Sequence, residues 1–465
     1  MFWPKTAGRL SLRKLSDNVK MKRKRILCTA VAVLVAAVAG GCIYLNSLMP
    51  IITGYAAKNL ASAVFVSGRN PADVEALDLN FSFIRFTRNT VDREKRCVTS
   101  RFLWSKSTAA YREGYGVTLL RGKDTGAFLA QKHPSYGGDV FPGMLVPGDS
   151  AMVSRLEPLA RALVDEQSYG GTPFALVVLH KGTRVAERYK EGFGPATQLL
   201  SWSMAKSFTN ALAGIMCKDS LLDIHAPLDI PQWQGDARKT ITLNDLMQMQ
   251  SGLAWNENYG SRSDVNLMLH REQDMGLFAL SKPLEHAPGT HWQYSSGSTN
   301  IVMRCLRGKF PSDSAFLAYM HERLFVPLGI RNPRFEPDMS GTPVGSSYLY
   351  ATARDFARFG QLYLDDGCVA GERILPEGWV AYTTTPASDS KGAYGAFFWL
   401  NRNLACPDAP EDMFSCQGHD GQEIYVIPSH DLVVVILGYS PKPDHVIDFN
   451  GFLKDILAAT QSLNR

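Results

Sequence analysis

The sequence predicts an α+β fold in which one antiparallel sheet, closed by early and late strands, is flanked by helices. A helical region is inserted between the two groups of strands, and a membrane segment precedes the fold. Three observations lead to this prediction. Runs rich in β-branched residues, each interrupted by turn residues, indicate hairpins at 174–189 and 423–437. Helical patterns fill the chain between them, and an uncharged apolar run stands at 26–45.

The N-terminus has the charge pattern of a cytoplasmic tail that precedes a membrane segment. Residues 1–25 carry nine Lys and Arg against one Asp, a net of +8, although the whole chain of 465 residues has a formal charge of only +5. The apolar run that follows is long enough to span a bilayer, and a Lys and Arg excess favours the cytoplasmic side. We therefore predict a basic cytoplasmic tail at 1–25 and a signal anchor at 26–47.

Two other interpretations of this segment stay open. A start at Met21 gives a cleavable signal peptide with an A-x-A site that ends at Ala39. The four residues that end at Cys42 also resemble a lipoprotein box. All three interpretations place the rest of the chain in the periplasm or elsewhere outside the cytoplasmic membrane.

The exported part divides into two predicted domains. Residues 48–155 form a scaffold region with strand-like runs at 62–66 and 115–120. A stretch rich in Gly and Pro at 136–149 is the predicted joint, and residues 156–465 form the catalytic domain. The 440 residues after the basic tail sum to a charge of −3, so nucleic acid is excluded as a partner.

Hairpins and capped helices give the second domain its order. The early hairpin turns at Lys181-Gly182-Thr183, and the late one turns at Pro428-Ser429-His430. A helical pattern follows Ser203, another starts near Ile301, and the last runs over 446–457. Two further helix starts carry a Thr with an acid three residues later, namely Thr242 with Asp245 and Thr352 with Asp355.

The cysteines form neither a metal-binding motif nor a dense disulfide framework. Six lie outside the apolar segment, and none of them is spaced C-x-x-C, which argues against zinc. Cys406 and Cys416 close a short loop and are the best disulfide candidate, with free buried thiols as the equal alternative.

The motif with the clearest chemistry is Ser203-Met204-Ala205-Lys206. Side chains three apart lie on one helix face, so a serine nucleophile and a lysine base can meet there. Burial disfavours the charged lysine and lowers its pKa toward the range of a base. The same pattern at Ser11 to Lys14 lies in the basic tail, so the motif alone also fits a surface Ser and Lys.

Two further motifs follow in order: Tyr294-Ser295-Ser296, and the run from Gly418 to Gln422. Together with S-x-x-K they resemble the serine β-lactamase-related superfamily of class C and D-alanyl-D-alanine carboxypeptidase type. The runs QYSSGSTN, YLYATARDFARFGQLYLDDG and GHDGQEIYVIPSHDLVVV are similar more closely to the 6-aminohexanoate-dimer hydrolase and family VIII carboxylesterase group. The resemblance covers residues 160 to 465.

This resemblance implies a β-lactamase/transpeptidase-like fold and a mechanism without metal or organic cofactor. Ser203 would be the acylated nucleophile, Lys206 its general base, and Tyr294 the group that shares protons with the lysine, made more acidic by a neighbouring ammonium. The backbone N–H groups of Ser203 and Gln422 would form the oxyanion hole.

Departures from the family pattern bear on the substrate. His419 stands where β-lactamases and the peptidases usually have a lysine that holds the substrate carboxylate, and Ser296 stands where they usually have an asparagine. Both changes argue against efficient β-lactam recognition and leave ester or amide hydrolysis intact. The predicted substrate-binding residues are His419, Asp420, Gly421, Ser296 and Tyr259, although His419 also fits a structural role and Tyr259 a surface loop.

We therefore expect a serine hydrolase that acts on carboxylic esters or small linear amides, with a small-molecule substrate and a membrane as partners. A weak β-lactamase or D-Ala-D-Ala peptidase is the first alternative. A non-catalytic envelope binding protein is the second, and the complete set of Ser, Lys and Tyr motifs argues against it. The oligomeric state does not follow from the sequence.

Overall fold

The computed structural model describes residues 7–122, 125–131, 145–441 and 445–461, with side chains from residue 18 onward. Most of the predicted joint at 136–149 lies outside these residues. The division into a scaffold at 48–155 and a catalytic domain at 156–465 stays a prediction.

A single long helix, α1 (Ala7–Phe65), opens the chain. Within the described residues it is the one helix long and apolar enough to cross a membrane, a property that a signal sequence shares. Its part over 26–45 is exposed, whereas residues 49–64 are mostly buried in the fold. The predicted strand at 62–66 is wrong, because the alanine-rich run before it continues the helix and packs into the core.

The scaffold completes a small α/β layer against this helix. It contains α2 (Pro71–Leu77), a 3₁₀ turn (Ile84–Phe86), and strands β1 (Arg88–Asp92), β2 (Cys97–Phe102), β3 (Ser105–Arg112) and β4 (Gly116–Leu119). The four strands form an antiparallel sheet in sequence order, and β4 confirms the predicted strand at 115–120. Val98, Ala109 and Val117 pack against the buried half of α1.

From there the chain alternates short helices and strands. In order these are α3 (Thr125–Ala130), α4 (Ser150–Val164), β5 (Pro173–His180), β6 (Thr183–Tyr189), β7 (Leu199–Leu200), α5 (Ala205–Lys218), α6 (Leu243–Met247), α7 (Asp264–Arg271), α8 (Met275–Leu280), α9 (Ser296–Gly308), α10 (Asp313–Met320), β8 (Arg334–Phe335), β9 (Leu349–Ala351), α11 (Ala353–Leu364), β10 (Cys368–Val369), β11 (Glu372–Arg373), α12 (Trp379–Thr383), β12 (Trp399–Leu400), β13 (Phe414–Gly418), β14 (Gln422–Ile427), β15 (Leu432–Gly438) and α13 (Phe449–Gln461).

The main sheet joins the early and late strands, as predicted. Its order is β12-β13-β14-β15-β5-β6, all neighbours are antiparallel, and Val434 of β15 lies opposite Val178 of β5. Successive side chains of each strand point to opposite faces, so one face packs on the helical region and the other on α4 and α13. The sheet therefore carries a core on both sides.

Local capping signals locate several helix starts. Both predicted capping boxes are present, at Thr242 with Asp245 and at Thr352 with Asp355. The helix predicted from Ile301 begins five residues earlier, because the Ser295 side chain accepts a hydrogen bond from the Ser298 backbone and caps the helix there.

The two halves of the fold are joined by a buried ion pair between Lys58 of α1 and Glu336. Burial lowers the pKa of Lys58 and raises that of Glu336, and each charge offsets the shift of the other. Ser62 Oγ and the Val117 backbone N–H also donate to the Glu336 carboxylate, at 2.9 and 2.6 Å. This carboxylate therefore ties the helix and the four-stranded sheet to the part of the chain that contains Glu336.

Cys406 and Cys416 are not joined by a disulfide. Cys416 of β13 belongs to the core beneath the helical region, whereas Cys406 packs against the core on the opposite face of the sheet. The structure therefore favours the alternative of free thiols, since a bond between these two cysteines would have to pass through the sheet.

Candidate active site

A strained turn presents Ser203 at the start of α5. Trp202, the residue before it, has a φ of +45°, a left-handed conformation that non-glycine residues rarely adopt and that is concentrated at functional sites. The Ser201 backbone N–H donates to Leu349 O at 2.8 Å, which attaches the turn to β9. A 3₁₀ turn over Trp202–Met204 then leads into the helix.

Lys206 lies one helical turn further on and is almost fully buried. Its Nζ is 2.9 Å from Ser203 Oγ, within the hydrogen-bonding reach that the spacing predicts, and it also donates to Ser296 Oγ at 3.0 Å and Ser346 O at 3.1 Å. Burial lowers the pKa of Lys206 to about 8, and the negative charge of Glu257 works in the opposite direction. Near neutral pH, about a tenth of this lysine is therefore a free amine that can accept a proton.

Tyr294 completes the group around Ser203. Its ring centroid is 4.8 Å from Lys206 Nζ, and its side chain lies beside Ser203. Burial raises the pKa of Tyr294, the charge of Glu257 raises it further, and the neighbouring Ser203 only partly offsets this. The pKa of Tyr294 is therefore raised, and not lowered as we expected from a neighbouring ammonium, which favours the neutral phenol.

The structure adds a residue that the motif analysis missed, Glu257. Its carboxylate accepts hydrogen bonds from Ser296 Oγ at 2.5 Å, the Ser296 backbone N–H at 2.9 Å, Trp255 Nε1 at 2.5 Å and Tyr259 OH at 3.2 Å. Ser296 in turn accepts from Lys206. An acid among aromatic and amide residues at 255–259 is the sequence signal for it, but only the fold brings that loop to the tyrosine motif.

His419 lies between two aromatic rings at the edge of the same site. It stacks on Tyr259 with ring centroids 4.7 Å apart and meets the Trp202 ring edge-on at 5.5 Å. Its Nε2 is 3.3 Å from Asp420 Oδ1, with side chains 36% and 7% exposed respectively. Burial raises the pKa of Asp420, and the neighbouring His419 offsets part of this shift.

The turn from Gly418 to Gln422 lies directly against the turn that carries Ser203. A Cβ on Gly418 would sit 2.3 Å from Ser201 O, so only glycine permits this approach. The Gln422 side chain is bound to Gly438 through both amide atoms, at 2.7 and 3.1 Å, which fixes the strand edge next to Ser203. The role of the Ser203 and Gln422 backbone N–H groups as an oxyanion hole stays a prediction.

The structure brings together all but one of the predicted site residues around Ser203. The exception is Gly421, which has a φ of +85° and faces Ser440 and Phe449 of the C-terminal segment. It forms the turn that carries His419, and its predicted contact with substrate stays a prediction.

A cleft of about 60 Å³ adjoins this site and has room for about four water molecules. Its lining includes Tyr55 of α1 together with Trp202, Asp420 and Gln422. The described residues contain no group of three His, Cys, Asp or Glu side chains that could hold a metal ion. The expectation of a reaction without cofactor stays a prediction.

Comparison with known proteins identifies a family, a curated relative and similar solved structures. The model of the family described as beta-lactamase matches residues 156–450. The 6-aminohexanoate-dimer hydrolase of Paenarthrobacter ureafaciens is 28% identical over 316 residues, which cover 63% of this chain and 79% of that protein. The fold is similar to that of a family VIII carboxylesterase, with a TM-score of 0.55 and 15% identity over 68% of this chain and 98% of the other.

A penicillin-binding protein homologue from Caulobacter crescentus has a similar fold, with a TM-score of 0.53 and 13% identity over 68% of this chain and 98% of that one. At such identities these two structures establish the architecture alone. They confirm the β-lactamase/transpeptidase-like fold that the three ordered motifs predicted.

Proposed function

Because the chain belongs to the beta-lactamase family, we propose that it is a serine hydrolase that cleaves carboxylic esters or small linear amides through an acyl-enzyme on Ser203. The observation that carries this proposal is the 2.9 Å contact between Ser203 Oγ and a buried Lys206 whose pKa is lowered to about 8. A binding protein has no need of a lysine whose pKa is lowered toward neutral pH beside a serine hydroxyl.

Acylation uses the lysine as base and the tyrosine as acid. The amine of Lys206 takes the Ser203 proton as Oγ attacks the substrate carbonyl carbon. The resulting oxyanion accepts hydrogen bonds from the backbone N–H groups of Ser203 and Gln422. When the bond to the leaving group breaks, Tyr294 donates its phenolic proton to that group and regains a proton from the Lys206 ammonium.

Deacylation runs the same proton path with water as the nucleophile. Water attacks the acyl carbon and loses a proton to the Tyr294 and Lys206 pair, and Ser203 Oγ leaves with a proton returned by Lys206. The product acid departs, and both side chains regain their starting protonation states. No other group needs to change its protonation state during the cycle.

In this proposal, Glu257 and Ser296 set the balance between the free amine and the ammonium of Lys206. Burial favours the free amine, whereas the carboxylate charge stabilises the ammonium that forms during attack. Ser296 passes this influence on, because it accepts from Lys206 and donates to Glu257. The lysine can therefore both accept and return a proton near neutral pH.

The charges of the site support a neutral acyl substrate. Glu257 and Asp420 both flank the site, and His419 replaces the lysine that would bind a carboxylate. An anionic β-lactam would meet repulsion here that an uncharged ester or amide would not. The names of the relatives, 6-aminohexanoate-dimer hydrolase and carboxylesterase, agree with this choice.

The experiment that tests the proposal combines covalent labelling with turnover. We expect a fluorophosphonate to add once to the wild type by intact mass, and p-nitrophenyl esters of graded chain length to be hydrolysed. Ser203→Ala should lose both properties, whereas Ser220→Ala, at an exposed serine after the same helix, should keep both. Undiminished turnover by Ser203→Ala would overturn the mechanism.

The outcome also separates the other candidate functions. Faster acylation by penicillins than by neutral esters would replace the esterase proposal with a β-lactamase or peptidase. Absence of labelling and of turnover in the wild type would favour a binding protein of the envelope.

The proposed location follows from the same chain. We propose that residues 26–47 are retained as an anchor, with the catalytic region on the outer side of the cytoplasmic membrane. The long exposed apolar helix and the basic residues before it support this orientation. Intact mass of the protein purified from membranes tests whether the segment is retained.

A further inference from the structure

The long helix α1 passes from the proposed membrane segment into the domain core without a linker. Residues 26–45 are exposed along it, and residues 49–64 are mostly buried. At 1.5 Å per residue, Thr53 lies only about 10 Å along the axis from Asn46. Thr53 is already bound to Ser107 of β3, with oxygen atoms 2.7 Å apart. The scaffold sheet therefore begins within one or two helical turns of the end of the apolar segment.

Large apolar side chains are exposed on the scaffold near this point. Two segments contribute them, the 3₁₀ turn around Ile84 and the turn between β2 and β3. Their members, which we call the apolar collar, are 37–67% exposed: Phe81, Phe83, Phe86, Leu103 and Trp104. Trp104 Nε1 donates to Asn46 Oδ1 at 3.3 Å, and the Phe83 and Phe102 rings lie 6.4 Å apart. The collar thus lies beside the exit of the apolar helix.

A row of three cations crosses the same end of the four-stranded sheet. Arg88 of β1 lies opposite Arg101 of β2, and Arg101 lies opposite Lys106 of β3. Directly opposed residues share a face of the sheet, and like charges in this arrangement destabilise it. In the described part of the chain, none of the three has an ion-pair partner, whereas Lys95 and Arg96 at the other end of the sheet each have one.

From these two features we infer that the apolar collar and the cation row form a surface that docks onto a bilayer of anionic phospholipid. Aromatic residues that line a membrane segment take positions at the headgroup level. Arg and Lys side chains next to them can reach lipid phosphates while their stems remain in apolar surroundings. The inference rests on the proposed retention of residues 26–47, and not on the proposed hydrolysis.

Docking of this kind would bring the active site close to the membrane surface. Phe81 of the collar contacts the Tyr55 ring edge-on at 5.4 Å, and Tyr55 stacks on Trp202 at 6.3 Å. Trp202 directly precedes the nucleophile. Three contacting rings thus connect the collar with the turn that carries Ser203.

The first test measures the depth of Trp104 in the full chain, reconstituted in nanodiscs that contain 30% phosphatidylglycerol. We expect lipids brominated near the headgroup to quench tryptophan emission relative to unbrominated nanodiscs, and Trp104→Phe to remove a measurable part of that quench. A quench unchanged by Trp104→Phe overturns the inference. A purified chain that begins after residue 47 also overturns it.

The second test concerns the cation row. Arg88→Gln, Arg101→Gln and Lys106→Gln in combination should weaken docking about fivefold per charge removed. The readout is amide hydrogen exchange at 81–86 and 101–106, which should slow on addition of phosphatidylglycerol in the wild type and not in the triple variant.

The matched control removes three cations from the opposite end of the same sheet, at Arg93, Lys95 and Arg96. This variant should keep the wild-type response. The inference would be contradicted if phosphatidylglycerol slowed hydrogen exchange equally in both triple variants. It would also be contradicted if a crosslinker attached at Leu103→Cys joined two copies of the chain and did not join the chain to lipid. Neither readout depends on turnover, so a failure of the docking inference can be told apart from a failure of the proposed reaction.

Discussion

Ser296 Oγ lies 3.0 Å from Lys206 Nζ and donates to Glu257 at 2.5 Å, so one hydroxyl connects the lysine with a carboxylate. The amide of an asparagine at this position would supply both a donor and an acceptor to neighbouring groups. Ser296 has only its hydroxyl for both contacts, and in this structure that hydroxyl accepts from Lys206 and donates to Glu257.

The pH dependence of acylation should report the lysine. Because Lys206 must be neutral to accept the Ser203 proton, and its pKa is about 8, kcat/KM should fall about tenfold per pH unit below that value. A pH profile with a neutral p-nitrophenyl ester measures it. A rate independent of pH between 6 and 8 would contradict a lysine base.

Glu257→Gln should move this acid limb to lower pH. The carboxylate raises the pKa of Lys206 against burial, so its removal lowers that pKa and leaves more free amine at neutral pH. We expect a shift of about one pH unit, in the range of single charge effects. Glu285→Gln, at an exposed acid, is the control and should leave the profile unchanged.

Lys206→Ala and Tyr294→Phe should each lower the acylation rate by about 10²- to 10⁴-fold. Since the two side chains move one proton between them, the double variant should be little worse than the poorer single variant. Rapid-quench acylation kinetics measure this. Fully additive losses would show that the two residues act independently.

His419→Lys should raise acylation by a carboxylate-bearing penicillin about tenfold or more and change neutral esters little. The added ammonium supplies an ion contact at a partly buried position, worth about 1.5 to 3 kcal/mol. Competition labelling with a fluorescent penicillin gives the rate, and His430→Lys, at a half-buried histidine of the late hairpin turn, is the control. Efficient penicillin turnover by the wild type would show instead that the missing lysine does not limit recognition.

Lys58→Met should destabilise the protein by about 3 to 5 kcal/mol, because it leaves the buried Glu336 carboxylate without its ammonium partner. The double variant Lys58→Met with Glu336→Met should recover most of this loss. Chemical denaturation followed by tryptophan emission measures both. Equal stability of the wild type and the single variant would show that the pair contributes nothing to the attachment of α1.

Features that depend on neighbouring residues followed from the sequence. Ser203 and Lys206 meet because a helix brings residues three apart to one face, and both Thr-Asp capping boxes formed because cap and acid are local. The late hairpin formed with β14 and β15 within one residue of its predicted ends. The order of the motifs also identified the family, and with it the pairing of early and late strands.

Other features required the packed structure. The run at 62–66 has the composition of a strand but continues α1, because its apolar side chains are buried against the scaffold sheet. Whether Cys406 and Cys416 pair depended on which face of the sheet each one occupies. The pKa of Tyr294 followed its burial and the nearby Glu257 charge, although the sequence pointed to the effect of the lysine alone.

By itself, the sequence determined the nucleophile motif, the order of the strands and helices around it, and the apolar segment before the fold, since each follows from spacing along the chain. Only the tertiary structure decided that Glu257 reaches Ser296 and that Tyr259 stacks on His419. It alone also aligned the three cations beside the end of the apolar helix. These contacts join residues far apart in sequence, and their distances depend on how whole elements pack, which local propensity does not specify.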